Sequence, residues 1–219
     1  MRIFFFPFDF LCMRTAVISD IHGNWAGLET ILQDIQSRDV DRIICLGDLV
    51  EGGDDNDAVV EFIRDKNIAA VQGNHDETND CHLKPDNQNW LSYLPQAIIE
   101  EDVIFTHISP RLVKRNVKDN IEAWNVFYET KYRLCFIGHI HFPALFGARY
   151  ELFAEACSYS VDYGEFHLDE TDRYIVSFGA IGYPRGGGKF LRYGIFDSAK
   201  NVVEFIRIEG SLLPYGLCV

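Results

Sequence analysis

Short apolar segments alternate with amphipathic segments through the first two thirds of the chain. Apolar side chains recur at helical spacing between Trp25 and Ile35 and again between Ala58 and Ile63, which predicts two helices. A third helix is predicted at residues 121–130. Five apolar segments of strand length flank these helices, at residues 16–19, 42–46, 68–71, 103–106 and 134–137. This alternation of strands and helices predicts a layered α/β fold with right-handed crossovers.

The last third of the chain has a different pattern, in which apolar segments are joined by turns. Strands are predicted at residues 144–148, 174–178, 190–196 and 202–208. We expect these four strands to form a second, mostly antiparallel sheet. Because no long linker interrupts the pattern, residues 14–219 are predicted to form a single domain.

Residues 1–13 lie outside this pattern and are predicted to be an N-terminal extension. The segment has a short apolar run, broken by Pro7 and Asp9, and it lacks a small-residue cleavage site. A signal peptide is therefore not expected, and Met13 is an alternative start. We expect the phenylalanines of this extension to pack on an apolar surface of the domain or of a neighbouring chain.

Composition and charge narrow the classes of partner. The chain is 47% hydrophobic and 24% charged, as in globular proteins with a sizeable core. Its net charge of -13 argues against long nucleic acid, which is bound through basic residues, but bound cations could still attract a small anionic substrate. No apolar run reaches the roughly 18–20 residues that span a membrane. The six cysteines form no C-x-x-C pair, so we expect reduced thiols and a cytoplasmic protein.

Side chains that commonly bind metals follow five of the predicted strands. They are Asp20 and His22, Asp48, Asn74 and His75, His107, and finally His139 and His141. Ligands of α/β sheets bind beyond the carboxyl ends of the strands, so we expect these side chains at one edge. In D-x-H and H-x-H, alternate residues of an extended segment point to one side and can reach the same cation. Mixed oxygen and nitrogen donors suit Mn, Fe, Zn, Co or Ni better than Ca or Mg.

This order of motifs, D-x-H, G-D, G-N-H-D, H and G-H-x-H, resembles the calcineurin-like metallophosphoesterase superfamily over about residues 14–197. The bacterial phosphodiesterase-like branch is the closer match, because residues 20–24 read D-I-H-G-N and Pro143 follows the last motif. Residues 177–185, S-F-G-A-I-G-Y-P-R, resemble a degraded form of that branch's N-P-G-S-V-G-x-P-R motif. The resemblance implies a two-layer mixed β-sandwich flanked by helices.

The resemblance also implies two divalent transition-metal ions, Mn, Fe, Zn or Ni, and a hydroxide between them that attacks phosphorus. The implied ligands are Asp20, His22, Asp48 and His141 for one metal, and Asp48, Asn74, His107 and His139 for the other. His75 would be a non-ligand that stabilises the transition state or protonates the leaving oxygen, and Glu51 would orient it. Arg185 is a candidate substrate contact. Asn24 either contacts the substrate or caps the helix that follows it.

These features predict a two-metal phosphoester hydrolase acting on phosphodiesters, nucleotides or dinucleoside polyphosphates. A serine/threonine protein phosphatase-like phosphomonoesterase and a non-catalytic scaffold are the alternatives. The protein phosphatase branch has G-D-x-V-D-R-G, whereas this chain has Gly52 in place of the arginine that helps to bind phosphate. A scaffold is disfavoured because His75 and every ligand position are present. We expect a small phosphorylated substrate and no membrane partner, and we leave homo-oligomer formation open.

Overall fold

Two mixed β-sheets lie face to face, with helices on their outer sides. The computed structural model describes residues 13–148, 156–186 and 189–214, and the backbone alone of residues 3–5. The elements in chain order are β1 (Ile3–Phe5), β2 (Arg14–Ile18), α1 (Trp25–Gln36), β3 (Arg42–Cys45), α2 (Asn56–Asp65), β4 (Ala69–Ala70), α3 (Asn74–Glu77), α4 (Pro85–Tyr93), β5 (Ala97–Glu100), β6 (Val103–Thr106), α5 (Asn120–Glu129), β7 (Leu134–Ile137), β8 (Pro143–Ala148), β9 (Cys157–Tyr159), β10 (Gly164–His167), β11 (Arg173–Phe178), β12 (Leu191–Asp197) and β13 (Val202–Ile208).

The strand order confirms the predicted two-layer mixed fold. The first sheet has the order β1-β5-β6-β7-β11-β8-β9, and the second has the order β10-β13-β12-β2-β3-β4. Strands joined by helices pair in parallel, as β2 does with β3 and β6 with β7. Strands joined by short turns pair antiparallel, as β12 does with β13. The helices that connect parallel strands cover the outer faces of both sheets.

Alternating apolar residues build a core on both faces of each sheet. On β2, Val17 points between the sheets and packs in the same cluster as Phe136 of β7. The next residue, Ile18, points to the other face and packs with Leu28 of α1. On the far side of the first sheet, Val126 of α5 belongs to a third cluster. A strand buried on both faces reads as a continuous apolar run, which explains the short apolar segments of the sequence.

The four predicted strands of the last third do not form a sheet of their own, so that expectation is wrong. Strands β8 and β11 join the first sheet, where β11 lies between β7 and β8. Strands β12 and β13 join the second sheet, where β12 lies between β2 and β13. A separate sheet would have left the edges of β2 and β7 unpaired in the interior, where unpaired backbone groups are costly.

The sequence prediction also missed β5, β9, β10, α3 and α4, which are short or have few buried side chains. Strand β1 pairs in parallel with β5 at the edge of the first sheet. The expected packing of the N-terminal phenylalanines lies outside the described side chains. None of the described helices is long and apolar enough to cross a membrane. The four described cysteines are free, and Cys45 and Cys135 are buried.

Candidate metal centre

The turns after β2, β3 and β7 hold the ligand candidates in an unusual backbone conformation. Asp20, His22 and Asp48 each have a φ of 54°, and His139 and His141 have φ values of 65° and 64°. Side-chain-bearing residues rarely adopt this left-handed conformation, which costs about 1–2 kcal/mol each. Hydrogen bonds between the turns hold it, as when the His22 N–H donates to the Asp48 carbonyl at 2.9 Å. The expected extended geometry of D-x-H and H-x-H is therefore wrong, and whereas Asp20 and His22 still reach the same group of ligand candidates, His139 and His141 reach different groups.

These turns bring the ligand candidates into two adjacent groups that share Asp48. The groups are Asp20, His22, Asp48 and His141 in one, and Asp48, His107 and His139 in the other. Within each group the potential ligand atoms all lie within 4.8 Å of one another. The strands that carry them belong to different sheets, because β2 and β3 are in the second sheet and β6 and β7 are in the first. The site therefore lies where the ends of the two sheets meet, rather than at the edge of one sheet.

The donor set fits divalent cations. Asp48 is fully buried, and within the described part of the chain its Oδ2 accepts no well-aligned hydrogen bond. This oxygen lies 3.1 Å from His107 Nε2 and 3.8 Å from His22 Nε2. A buried carboxylate needs compensation, and a cation bound by this carboxylate and the imidazoles would satisfy all of these groups. Asn74 Oδ1 lies 3.1 Å from His107 Nε2, so it can add a fourth donor to the second group.

Each of the four histidines of the cluster uses one ring nitrogen to bond the polypeptide, which leaves the other for a cation. Three donate Nδ1–H to backbone carbonyls, His22 to Glu51 at 2.8 Å, His107 to Leu46 at 2.7 Å and His141 to Tyr183 at 2.9 Å. Because a carbonyl can only accept, Nδ1 carries a proton in these three rings, and Nε2 is the nitrogen that faces the other ligand candidates. His139 has the opposite arrangement, since its Nε2 bonds Asn116 Oδ1 at 2.7 Å.

Without metal, opposite charges within the cluster shift the protonation of its members. Burial lowers the pKa of His107, but the Asp48 carboxylate outweighs burial and raises this pKa to about 9. Burial and the charge of His107 together lower the pKa of His139 to about 4. Burial raises the pKa of Asp20, but the hydrogen bond and charge of His141 outweigh it and hold this pKa below its usual value. The carboxylates thus draw a proton onto the cluster, which a metal ion would displace.

Two residues of the third motif shape the turn that carries Asp48. The buried Asp76 carboxylate accepts the backbone N–H groups of Asp48 at 2.8 Å, Leu49 at 2.8 Å and Gly73 at 2.9 Å. Burial and the charge of Asp48 nevertheless raise the pKa of Asp76 to about 6. Gly73 lies so close to Asp48 that a Cβ there would sit 2.9 Å from the Asp48 Cγ. The sequence prediction gave Asp76 no role, although the G-N-H-D motif contains it.

His75 lies beside the cluster and belongs to neither group. Its Nδ1 lies 2.8 Å from Glu51 Oε2, the arrangement expected of an orienting carboxylate. Its Nε2 lies 4.0 Å from Asp48 Oδ2. The His75 side chain is 36% exposed, so a substrate and solvent can both reach the ring.

Asn24 and Arg185, the two predicted substrate contacts, lie in different environments. Asn24 is buried, its Oδ1 accepts from the Gly27 N–H at 3.0 Å, and its amide donates to two backbone carbonyls. It therefore caps α1, which was one of its two predicted roles. Arg185 is exposed, and its backbone N–H donates to the His141 carbonyl at 2.7 Å. Burial and the charge of Arg185 act to lower the pKa of His141, but the hydrogen bond and charge of Asp20 outweigh them and raise it.

Comparisons with known proteins show the family and the fold of the chain. Residues 13–143 match the family model of the calcineurin-like phosphoesterases. An uncharacterized protein of Methanocaldococcus jannaschii is 32% identical over 226 residues, covering 89% of this chain and 86% of its own. A metallophosphoesterase structure from Sphaerobacter thermophilus superposes with a TM-score of 0.78 at 30% identity, covering 91% of this chain and 89% of its own. An archaeal phosphodiesterase, at 17% identity, shares the fold with a TM-score of 0.50 over 90% of this chain and 100% of its own. The chain belongs to the calcineurin-like phosphoesterase family and is a metal-dependent phosphoester hydrolase.

Proposed function

We propose that the chain hydrolyses small phosphodiesters, or else nucleotides or dinucleoside polyphosphates. The crowding around Gly52 carries this proposal. A Cβ at this position would lie 2.7 Å from the Tyr183 ring and 3.0 Å from the His22 Cβ, so an arginine cannot be placed there without moving both neighbours. An arginine fork is most valuable for a dianionic phosphomonoester. Without it, a singly charged diester held mainly by metal ions is the better substrate.

Two divalent transition-metal ions, Mn, Fe, Zn or Ni, are the proposed cofactors. The proposed ligands are Asp20, His22, Asp48 and His141 for one ion, and Asp48, Asn74, His107 and His139 for the other. When bound, such ions supply an activated water at neutral pH and neutralise charge on the phosphoryl oxygens. The chain's own part is to hold the ligands in fixed rotamers and to present Asp48 to both groups.

His75 is the proposed catalytic residue of the chain. Glu51 holds its Nδ1, which directs Nε2 toward the cluster. A protonated His75 can donate its Nε2 proton to the leaving oxygen as the P–O bond breaks, and solvent can then return a proton because the ring is partly exposed. Arg185, near His141, is the proposed contact for a phosphoryl or leaving-group oxygen. The role of Glu51 is to fix the tautomer and orientation of His75.

The net charge supports the proposed substrate class, and the thiols support the proposed compartment. A net charge of -13 suits a small phosphorylated substrate drawn by metal ions and disfavours long nucleic acid. The free, buried thiols of Cys45 and Cys135 suit the reducing cytoplasm that we propose for the chain. Burial raises the pKa of the Cys135 thiol to about 12, so it is not a reactive nucleophile.

A substrate comparison tests the proposal. Protein supplied with Mn²⁺ would be assayed on bis-p-nitrophenyl phosphate, p-nitrophenyl phosphate, a dinucleoside polyphosphate and a phosphopeptide, with Asp48→Ala as the inactive control. We expect kcat/KM to be highest on a diester or polyphosphate, at least about tenfold above that on the phosphopeptide. Efficient phosphopeptide turnover with negligible diesterase activity would overturn the proposal and favour the protein phosphatase alternative.

A further inference from the structure

The four histidines of the cluster are not held in place by the same kind of group. His22, His107 and His141 each donate Nδ1–H to a backbone carbonyl. No side-chain substitution removes those acceptors. His139 differs, because its Nε2 bonds the side-chain oxygen of Asn116 at 2.7 Å. The orientation of His139 therefore depends on a side chain that a single substitution can delete.

Asn116 lies on an exposed loop that is nevertheless held on both sides. Before it, Arg111 contacts α5 through Glu122 Oε2 at 2.5 Å and Glu129 Oε1 at 2.7 Å. After it, the fully buried Val117 anchors the chain in the core cluster that contains α5. These contacts place the Asn116 amide against His139, even though Asn116 itself is open to solvent.

We propose that Asn116 is a positioning residue, which holds His139 as the Nε2–H tautomer with its Nδ1 directed at the second metal group. In the neutral ring one nitrogen carries the proton and the other carries the lone pair. An acceptor on Nε2 favours the proton there and leaves Nδ1 free to bind a cation. A histidine ring that lacks such a partner populates both tautomers and more than one orientation, and metal binding must then select one of them. Removing a partner of this kind typically weakens metal affinity by about 10–100-fold.

The positioning role of Asn116 predicts weaker metal binding at the second ligand group and unchanged binding at the first. The His139 side chain belongs to the second group alone, and its contact with the first group is a backbone N–H donated to Asp20 Oδ1 at 3.0 Å, which does not involve the ring that Asn116 holds. Asn116→Ala should therefore weaken binding at the second group alone. Asn116→Asp should restore it, because a carboxylate of the same length also accepts the Nε2–H. Val113→Ala truncates an exposed, uncharged neighbour on the same loop and is the matched control.

Two measurements on the full chain test the proposal. Calorimetric titration with Mn²⁺ reports the affinity of each group, and long-range ¹H–¹⁵N NMR of the histidine rings reports the tautomer of His139 in metal-free protein. We expect about 10–100-fold weaker binding of one ion in Asn116→Ala, with a mixture of tautomers. We expect near-normal binding and the Nε2–H tautomer in Asn116→Asp and Val113→Ala.

Three results would overturn the proposal. The first is that Asn116→Ala keeps both the affinities and the tautomer of the unaltered chain. The second is that Asn116→Asp loses as much affinity as Asn116→Ala, which would mean that the loop needs asparagine for its own structure. The third is an equal loss in Val113→Ala, which would point to a general disturbance of the loop. The proposal rests on His139 as a metal ligand, but neither measurement uses phosphodiester hydrolysis, so its failure is distinguishable from failure of the proposed function.

Discussion

Replacing Gly73 by alanine should disable the metal centre while leaving the fold intact. Gly73 has a φ of −87° and a ψ of 173°, values that alanine adopts without strain, so the effect comes from crowding alone. The new Cβ would lie 2.9 Å from the Asp48 Cγ, and closer still to the Asp48 Oδ1 and backbone nitrogen. Ordinary carbon contacts are about 3.5–4.0 Å, so Asp48 would have to move by at least ~0.6 Å.

This displacement should weaken metal binding and lower activity, because Asp48 is shared by both ligand groups. Asp48 cannot move freely, since its backbone N–H donates to Asp76 at 2.8 Å and its Oδ1 accepts the His75 N–H at 2.9 Å. A misplacement approaching 1 Å costs about 10²-fold in rate, and overpacking costs about 1–3 kcal/mol of folding free energy. We expect Gly73→Ala to lose metal after dialysis and to fall by about 10²-fold in kcat/KM on bis-p-nitrophenyl phosphate.

Gly164→Ala is the matched control for this experiment. Gly164 has a φ of 99°, and no atom of the described residues lies within 4 Å of a Cβ there, so alanine adds backbone strain of about 1–2 kcal/mol without crowding. The free energy of unfolding of the Gly164→Ala protein should fall, while its metal content and its rate of hydrolysis stay normal. Metal analysis, urea denaturation and steady-state kinetics on both variants decide the matter. A Gly73→Ala protein that keeps its metal and more than half of its rate would refute the reasoning.

Two further predictions concern the roles of individual ligands and protons. Asp48→Ala should lose metal and activity together, whereas His75→Ala should keep its metal and lose about 10²–10⁴-fold in kcat, with a milder loss in Glu51→Gln; metal loss in His75→Ala would show that His75 is a ligand. The pKa of His107, about 9 without metal, predicts that metal binding releases its proton, so the apparent affinity should rise by about tenfold per pH unit between pH 7 and 9. Calorimetry of Mn²⁺ binding in buffers of different ionisation enthalpy checks this, and binding without proton release at pH 7 would contradict it.

The sequence was sufficient to predict an element where its local pattern is compatible with only one kind of secondary structure. Alternation and helical spacing located β2, α1, α5 and β7 to within a few residues, because each buries one defined face or a whole apolar run. The motifs located the ligand candidates because each comes directly after such a strand. The assignment of β11 and β12 to different sheets could not be predicted, since both read as apolar strands and only the whole fold decides which edge each one completes.

Asn116 shows a different limit of the sequence. An isolated asparagine in a polar loop has no periodic signal, and nothing in its neighbours on the chain indicates the histidine that it bonds. Its partner His139 is 23 positions away and belongs to the turn after β7. Asp76 could have been recognised sooner, because its motif is local and its carboxylate bonds backbone groups of that motif and of the turn that carries Asp48.

The backbone strain in the metal centre arises because its turns must carry side chains that can bind a metal ion. Five ligand candidates and Glu51 have positive φ values, a conformation that glycine would adopt without cost. Glycine, however, has no oxygen or nitrogen donor, so each position must combine a glycine-like backbone with a functional side chain. The surrounding core makes this tolerable, since buried strands on both sheets fix the ends of every turn and hydrogen bonds join the turns to one another. The ligands are therefore held in position by the fold itself, and the cost of ordering them falls on folding rather than on metal binding.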